Sequence, residues 1–278
     1  MTTRPSVPPI ALVTDFGLAD GYVGVMKSVI AGIAPGIALI DLSHDVPPQD
    51  IRTGAWILHT TWRYLPAGGI CLAVVDPGVG SARRAVAFAA GERLFVGPDN
   101  GLFGYILEVG PASAAVALDN PRFQLAAPSA TFHGRDIFAP AAAHLAAGQT
   151  LVALGSPISP TSLTPLALPR PTRQGNDLVG HVIHVDHFGN LITSFGPKLA
   201  RALLSQPGLA LRVADRTIAA SAGTFASGPV DEPFALMDSS GHLALALRDG
   251  SAAKRLGVSI DAAILAIGAA ALDSPAAP

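Results

Sequence analysis

Residues 10–75 alternate short apolar runs with longer amphipathic stretches, and this alternation constrains the fold more than any other feature of the sequence. IALVT (Ile10–Thr14) reads as a buried strand, 22–34 as a helix stopped by Pro35 and Gly36, and 37–42 as the next strand. Residues 50–64 read as a second helix closed by Pro66 and the Gly68-Gly69 pair, and ICLAVV at 70–75 as a third strand. Right-handed crossovers make such strands parallel. Two further runs, Ala85–Ala90 and 94–96, flank a turn at Gly91-Glu92. The expected fold class is α/β, with an N-terminal α/β domain at 1–156 built on a mainly parallel sheet.

The pattern changes at PISPTSLTPLALPRP, residues 157–171, which carries five prolines. Proline at this density marks a linker, expected over 157–177. Beyond it, apolar runs at 178–186, 191–195, 209–213, Phe234–Met237 and 243–247 are punctuated by Gly and Ser. A smaller, mainly antiparallel β domain is expected over 178–278.

Charge narrows the function classes. Only 14% of residues are charged, the 18 Lys and Arg nearly balance the 20 Asp and Glu, and no basic block occurs. Neutralising phosphates takes clustered cations, so no nucleic-acid partner is expected. No apolar stretch is long and uninterrupted enough to suggest a membrane partner. The single Cys71 supplies neither a disulfide framework nor a multi-cysteine metal site and suits a reducing, cytoplasmic setting.

In open α/β sheets, ligand-binding residues gather beyond the carboxyl ends of the strands. Those positions here hold Asp15, then Asp41 and Asp45, then Asp76. TDFGLADGY at 14–22 sets Asp15 and Asp20 around a loop that opens a helix. Asp15 can accept two hydrogen bonds from a ribose diol; Asp20 can bind a ligand or cap the helix. Neither GxGxxG nor GxxxxGK[ST] occurs, so a nucleoside would be held by its sugar and base. A metal site from Asp15, Asp20, Asp41, His44 and Asp45 would lack any strong ligand spacing.

Three more strings carry candidate chemistry. VVDPGVGSARR at 74–84 places Asp76 at a strand end, with Arg83 and Arg84 returning seven and eight residues later, as an ordinary ion pair or as part of a site. TFHGRD at 131–136 puts His133 at the start of a helix. HVDHFGNLITSF at 184–195 combines Asp186, Phe188 and Asn190: Phe can stack on a base and Asn can pair with an adenine edge, while Gly189-Asn190 is also a turn signal.

Taken in order, TDFGLADGYVGVMKSVI, DLSHDVPPQDI, VVDPGVGSARR, VGPDNGL, TFHGRDIFAPAAAHLA and HVDHFGNLITSF resemble the S-adenosyl-L-methionine (SAM) hydrolase, or SAM hydroxide adenosyltransferase, family, which is related to fluorinase and chlorinase. The resemblance spans residues 10–257. It implies hydrolysis of SAM to adenosine and L-methionine by attack of an activated water at C5′, with no cofactor and no metal. The family's water-activating triad carries over to Asp76, Arg83 and His133; spacing alone does not choose Arg83 over Arg84.

For the substrate, the resemblance implies Asp15 on the ribose hydroxyls and Asp20 and Asp186 near the methionine amino group. Phe188 and Phe225 would sandwich adenine, Asn190 would meet its edge, and Arg248 and Gly250 would contact it by side chain and backbone. Ser239 and Ser240 would face the methionine carboxylate, although Ser240 replaces an arginine of fluorinase. Asp76 stands where fluorinase has Tyr, and His133-Gly134 where it has Tyr-Ser, so hydrolysis is expected over halide-dependent adenosyl transfer or a non-catalytic SAM or adenosine sensor. The resemblance further implies a homotrimer with the site at the subunit interface.

Overall fold

The computed structural model describes residues 7–269. The chain divides into two compact units, Met1–Ala167 and Leu168–Pro278.

The first unit runs β1 (Ile10–Thr14), α1 (Tyr22–Ile33), β2 (Leu39–Ser43), α2 (Ile51–Thr61), β3 (Ile70–Val74), β4 (Ala85–Ala90), β5 (Arg93–Pro98), α3 (Gly104–Val109), β6 (Ala114–Ala117), α4 (Ala139–Ala146) and β7 (Pro157–Ile158). Among the described residues these strands form one sheet in the order β2-β1-β3-β5-β4-β6-β7. β1 pairs in parallel with β2 and β3, and β3 with β5. β4 is antiparallel to β5 and β6, and β6 to β7. The sheet is therefore mixed, and the expected mainly parallel character holds only for its β2-β1-β3-β5 half. The reason is local: the tight Gly91-Glu92 turn returns the chain as a hairpin, whereas parallel neighbours need a crossover of a dozen or more residues.

Side chains on the central strands alternate between two cores. Ile10, Leu12, Ile70 and Leu72 pack with Met26, Ile30 and Phe138. Ala11, Val13, Cys71 and Ala73 pack on the opposite face with Leu58, Trp62, Phe88 and Phe95. Both faces of β1 and β3 are thus covered, which is why their sequences read as unbroken apolar runs. Asp50 caps α2 by accepting from the Thr53 backbone N–H at 3.0 Å. The cap residue of α1 is Gly21, so Asp20 does not cap that helix.

The proline-rich stretch is divided between the units, with the division after Ala167. Pro157 sits on the edge strand β7, where its missing N–H costs no ladder bond. The Thr164 backbone N–H donates to Asp99 at 2.7 Å, so this part of the expected linker is built into the first unit.

The second unit comprises β8 (Thr172–Gln174), β9 (Asp177–Val185), β10 (Leu191–Thr193), α5 (Pro197–Leu204), β11 (Ala210–Val213), β12 (Arg216–Ile218), β13 (Phe234–Met237), β14 (Leu243–Ala246), α6 (Ala252–Leu256) and β15 (Ala263–Ile267). Its strands follow the order β12-β11-β15-β9-β10-β14-β13, with β8 on β9, and these pairings are antiparallel. Leu178, Val182, Leu191, Phe195, Leu211 and Leu245 centre its core.

Gly97 marks the tightest point between β5 and β3: a Cβ there would collide with the Ala73 carbonyl oxygen and lie 2.9 Å from the Phe103 ring. Gly97→Ala is expected to destabilise the protein by about 2 kcal/mol through overpacking, read as a lower urea midpoint at unchanged slope.

Candidate active site

The loops beyond β1 and β3 and the segment that leads into α4 line a cavity of about 410 Å³ in the first unit, with Asp15, Asp76 and His133 on its wall. Asp76 follows the carboxyl end of β3, and Arg83 precedes β4, so the turn between these two strands folds the arginine back onto the aspartate. Arg83 Nε donates to Asp76 Oδ1 at 2.9 Å and its Nη2 donates to Oδ2, a fork on a carboxylate. The same Nη2 lies 2.7 Å from His133 Nδ1. The side chains of Asp76 and Arg83 are 5% and 9% exposed, and the guanidinium carbon lies 5.2 Å from the centroid of the Phe138 ring.

Arg84 goes elsewhere. Its Nε donates to Asp99 Oδ2 at 2.8 Å and its Nη1 to Ser162 Oγ at 3.0 Å. With its guanidinium committed to Asp99 and Ser162, Arg84 is not available to Asp76. The partner of Asp76 is Arg83.

A guanidinium has only N–H donors, so Nδ1 of His133 must accept, and the neutral imidazole then carries its hydrogen on Nε2. Burial, and next the positive charge of Arg83, hold the His133 pKa below its ordinary value, against the opposing pull of Asp76 and Asp136. His133 heads one turn of π-helix, Gly134–Phe138, where a Cβ on Gly134 would come within 3.2 Å of Met26 Sδ and the Phe132 ring. Asp15 accepts from the Gln49 backbone N–H at 2.7 Å, and Gln49 holds φ 67° to make that bond. Asp20 is exposed and lies outside the cavity lining.

A second cavity, of about 660 Å³, lies in the second unit and is lined by Phe188, Asn190, Phe225, Arg248, Asp249 and Gly250, among others. Phe188 is 74% exposed and Phe225 50%. Two large exposed aromatics on one cavity mark a surface for a flat apolar ligand. The 186–190 string is at once turn and wall: Asp186 Oδ1 accepts from the N–H groups of Phe188 (3.0 Å) and Asn190 (2.8 Å), and its Oδ2 accepts from Asn190 Nδ2 at 2.7 Å. Gly189, at φ 83°, backs onto Ser251, whose Oγ a Cβ would strike.

The residues expected around methionine are not gathered in either cavity. Asp186 is engaged in its turn, Ser239 is exposed, and Ser240 Oγ bonds Asp238 Oδ1 at 2.7 Å and lies 3.0 Å from His242 Nδ1. Lining residues that the motif reading passed over include Phe16, Tyr22, Gln49 and Phe132 in the first cavity and Leu247 and Asp249 in the second. Phe16, Tyr22 and Phe132 form a contiguous ring cluster with centroids 5.2 to 5.8 Å apart. Among the described residues no group of three or more His, Cys, Asp or Glu could hold a metal ion, and no helix is long and apolar enough to cross a membrane.

The sequence profile of the SAM hydroxide adenosyltransferase N-terminal domain matches residues 10–155, and that of the C-terminal domain matches residues 180–265. The chain belongs to the SAM hydroxide adenosyltransferase family. It is 45% identical over 255 residues to an (R)-S-adenosyl-L-methionine hydrolase of Salinispora arenicola, covering 91% of this chain and 95% of that one. A fluorinase of an Actinoplanes species is more distant, 29% identical over 273 residues with 86% and 90% covered. A crystal structure of an uncharacterized conserved protein from Thermotoga maritima superposes with a TM-score of 0.86 at 33% identity, covering 92% of this chain and 98% of that one. In this member of the SAM hydroxide adenosyltransferase family, the profiles span both cavity-bearing units.

The tautomer of His133 sets a pH dependence. A histidine whose folded pKa is depressed contributes stability that is present above the ordinary imidazole value of about 6.5 and is lost as pH falls through the depressed value. Protonation would put a second donor against Arg83 Nη2. The His133 imidazole, assigned in an NMR titration by its absence in His133→Asn, is expected to inflect below pH 6.5. Arg83→Met should move that inflection upward, since it removes the neighbouring positive charge; an inflection at or above the ordinary value in the wild type would contradict the assignment.

Proposed function

We propose that the chain hydrolyses SAM to adenosine and L-methionine. The observation that carries this reading is the Arg83 guanidinium, bonded at once to Asp76 and His133 at the wall of a cavity that also presents Asp15. Relatives at 44–45% identity named (R)-S-adenosyl-L-methionine hydrolase support the activity, and their name supports the (R) form as substrate.

In the proposed reaction a water oxygen bonds to C5′ as the C5′–S bond breaks. The sulfur keeps that bonding pair and leaves as the neutral thioether of methionine. The sulfonium needs no acid to depart, so the work of the site lies on the nucleophile. With Nδ1 bonded to Arg83, His133 offers Nε2–H to hold the water oxygen toward C5′ and, with the guanidinium, stabilises the hydroxide character that the oxygen gains as its proton is taken. The same tautomer makes His133 a donor, which leaves the Asp76 carboxylate as the acceptor of the water proton before release to solvent. Asp15 takes the ribose hydroxyls. No step calls for a metal or cofactor.

The second cavity supports an adenine site in which Phe188 and Phe225 stack on the base, with Asn190, Arg248 and Gly250 at its edge. Asp20, Asp186, Ser239 and Ser240 are proposed for the methionine arm. Each unit carries a different portion of the candidate site. We propose a homotrimer whose sites join the first unit of one subunit to the second unit of a neighbour, acting in the cytoplasm.

Incubation with SAM in oxygen-18 water is expected to label the adenosine 5′-hydroxyl, unaffected by EDTA, with turnover lost in Asp76→Ala and His133→Ala by about 100-fold or more. Preferential formation of 5′-halo-5′-deoxyadenosine with millimolar halide would instead favour the halogenase reading. Retention of SAM without turnover would favour a sensor. Co-refolding Asp76→Ala with the double variant Phe188→Ala, Phe225→Ala, each inactive alone, should restore about a quarter of wild-type activity if sites are shared between subunits. No restoration would refute sharing.

A further inference from the structure

The strand-end string DLSHD, residues 41–45, takes no part in the proposed chemistry, yet it is joined to the loop that carries Asp15 by a chain of side-chain hydrogen bonds. Lys27 Nζ on α1 donates to Asp41 Oδ2 at 2.6 Å. Asp41 Oδ1 lies 3.0 Å from His44 Nε2, and His44 Nδ1 lies 2.8 Å from Thr14 Oγ1. The Phe16 backbone N–H donates to that same Thr14 oxygen at 3.3 Å, and the Gly17 N–H donates to the His44 carbonyl at 2.8 Å.

Donor and acceptor roles close without conflict. A carboxylate only accepts, so His44 carries its hydrogen on Nε2; the Thr14 hydroxyl then donates to Nδ1 and uses its oxygen for Phe16. Thr14 is fully buried and His44 is 4% exposed, so neither can exchange these partners for bulk water. Asp15 lies between Thr14 and the two pinned amides of Phe16 and Gly17, and its own Oδ2 is held by the Gln49 backbone N–H, four residues beyond the DLSHD string. Thr14 and His44 are buried and do not line the cavity.

We propose that Lys27, Asp41, His44 and Thr14 form a positioning relay that fixes the Asp15 loop, so that one carboxylate oxygen is anchored and the other is presented to a ribose diol. The four residues are positioning residues, acting through Asp15 on affinity for the sugar. The inference rests on the proposed function for the identity of the ligand. It also accounts for His44 and Asp41 as members of a hydrogen-bond chain, the use that a metal reading of the same residues would have missed.

The test is a double-mutant cycle read by calorimetry on adenosine binding, with adenine as the control ligand that lacks the ribose. Thr14→Val keeps shape and deletes the hydroxyl; it is expected to weaken adenosine binding about tenfold, and to raise the KM for SAM by a like factor with kcat within about twofold. Thr14→Ser should restore both, and adenine should bind all variants alike. In an Asp15→Asn background the Thr14→Val penalty should largely vanish, because the relay acts through that carboxylate. A lower melting temperature with unchanged adenosine affinity, or a penalty fully additive to Asp15→Asn, would overturn the proposal. Should Thr14→Val not fold, Asp41→Asn at the half-exposed end of the chain carries the same test, and an unchanged adenosine affinity there overturns it too. Since the cycle is read on binding, a wild type that fails to turn over SAM would count against the proposed function and not against the relay.

Discussion

The Arg83 guanidinium lies almost out of reach of water, and a cation at that depth is tolerated only while an anion faces it with matched geometry. Asp76 supplies that anion through two parallel bonds, and Phe138 offers a ring face at 5.2 Å. Much of the first unit follows from keeping this pair in place. β3 must end at Val74 and β4 must begin at Ala85 for the turn between them to return the arginine. The segment leading into α4 must bring His133 to the remaining edge of the guanidinium, which a single π turn with a glycine at its first position does. Loss of either charge would strand the other in a low-dielectric site, a more severe defect than the loss of a surface ion pair.

How much of this was legible in the sequence depends on the range of the forces involved. β1 and β3 were visible as apolar runs because both of their faces are covered, and α2 was visible as an amphipathic run closed by Pro66 and the Gly68-Gly69 pair. The mixed character of the sheet was less visible. The Gly91-Glu92 turn pointed to a hairpin, yet which strand β4 and β5 would join is a tertiary choice that no local pattern encodes. In the second unit, β8 and β12 escaped notice because three residues are too few to show a period, and α6 because five residues make little more than one helical turn. Proline density located the division between units only to within a segment, since Pro157 serves as strand edge as readily as linker.

The candidate site divides in the same way. Residues in compact strings were legible: Asp76 with Arg83, His133 beside Gly134, and Phe188 with Asn190. Choosing Arg83 over Arg84 needed side-chain direction, which a seven-residue spacing does not reveal. Gln49 was missed because it contributes a backbone N–H, and backbone donors carry no residue signature. The ring cluster of Phe16, Tyr22 and Phe132 was missed because its members belong to two strings more than a hundred residues apart. Asp186 gave a compact signal with two meanings, and in the structure its carboxylate is spent on the turn that shapes the second cavity.

Cys71 lies within β3 without exposure to solvent, and burial pushes its thiol up to about 12. A sulfonium is an alkylating agent, and its most susceptible target in a protein is a thiolate. The one sulfur of this chain that could form such an anion is kept protonated and walled off within the sheet. Under the proposed reaction, the buried thiol offers the sulfonium no nucleophile within the chain's own sheet.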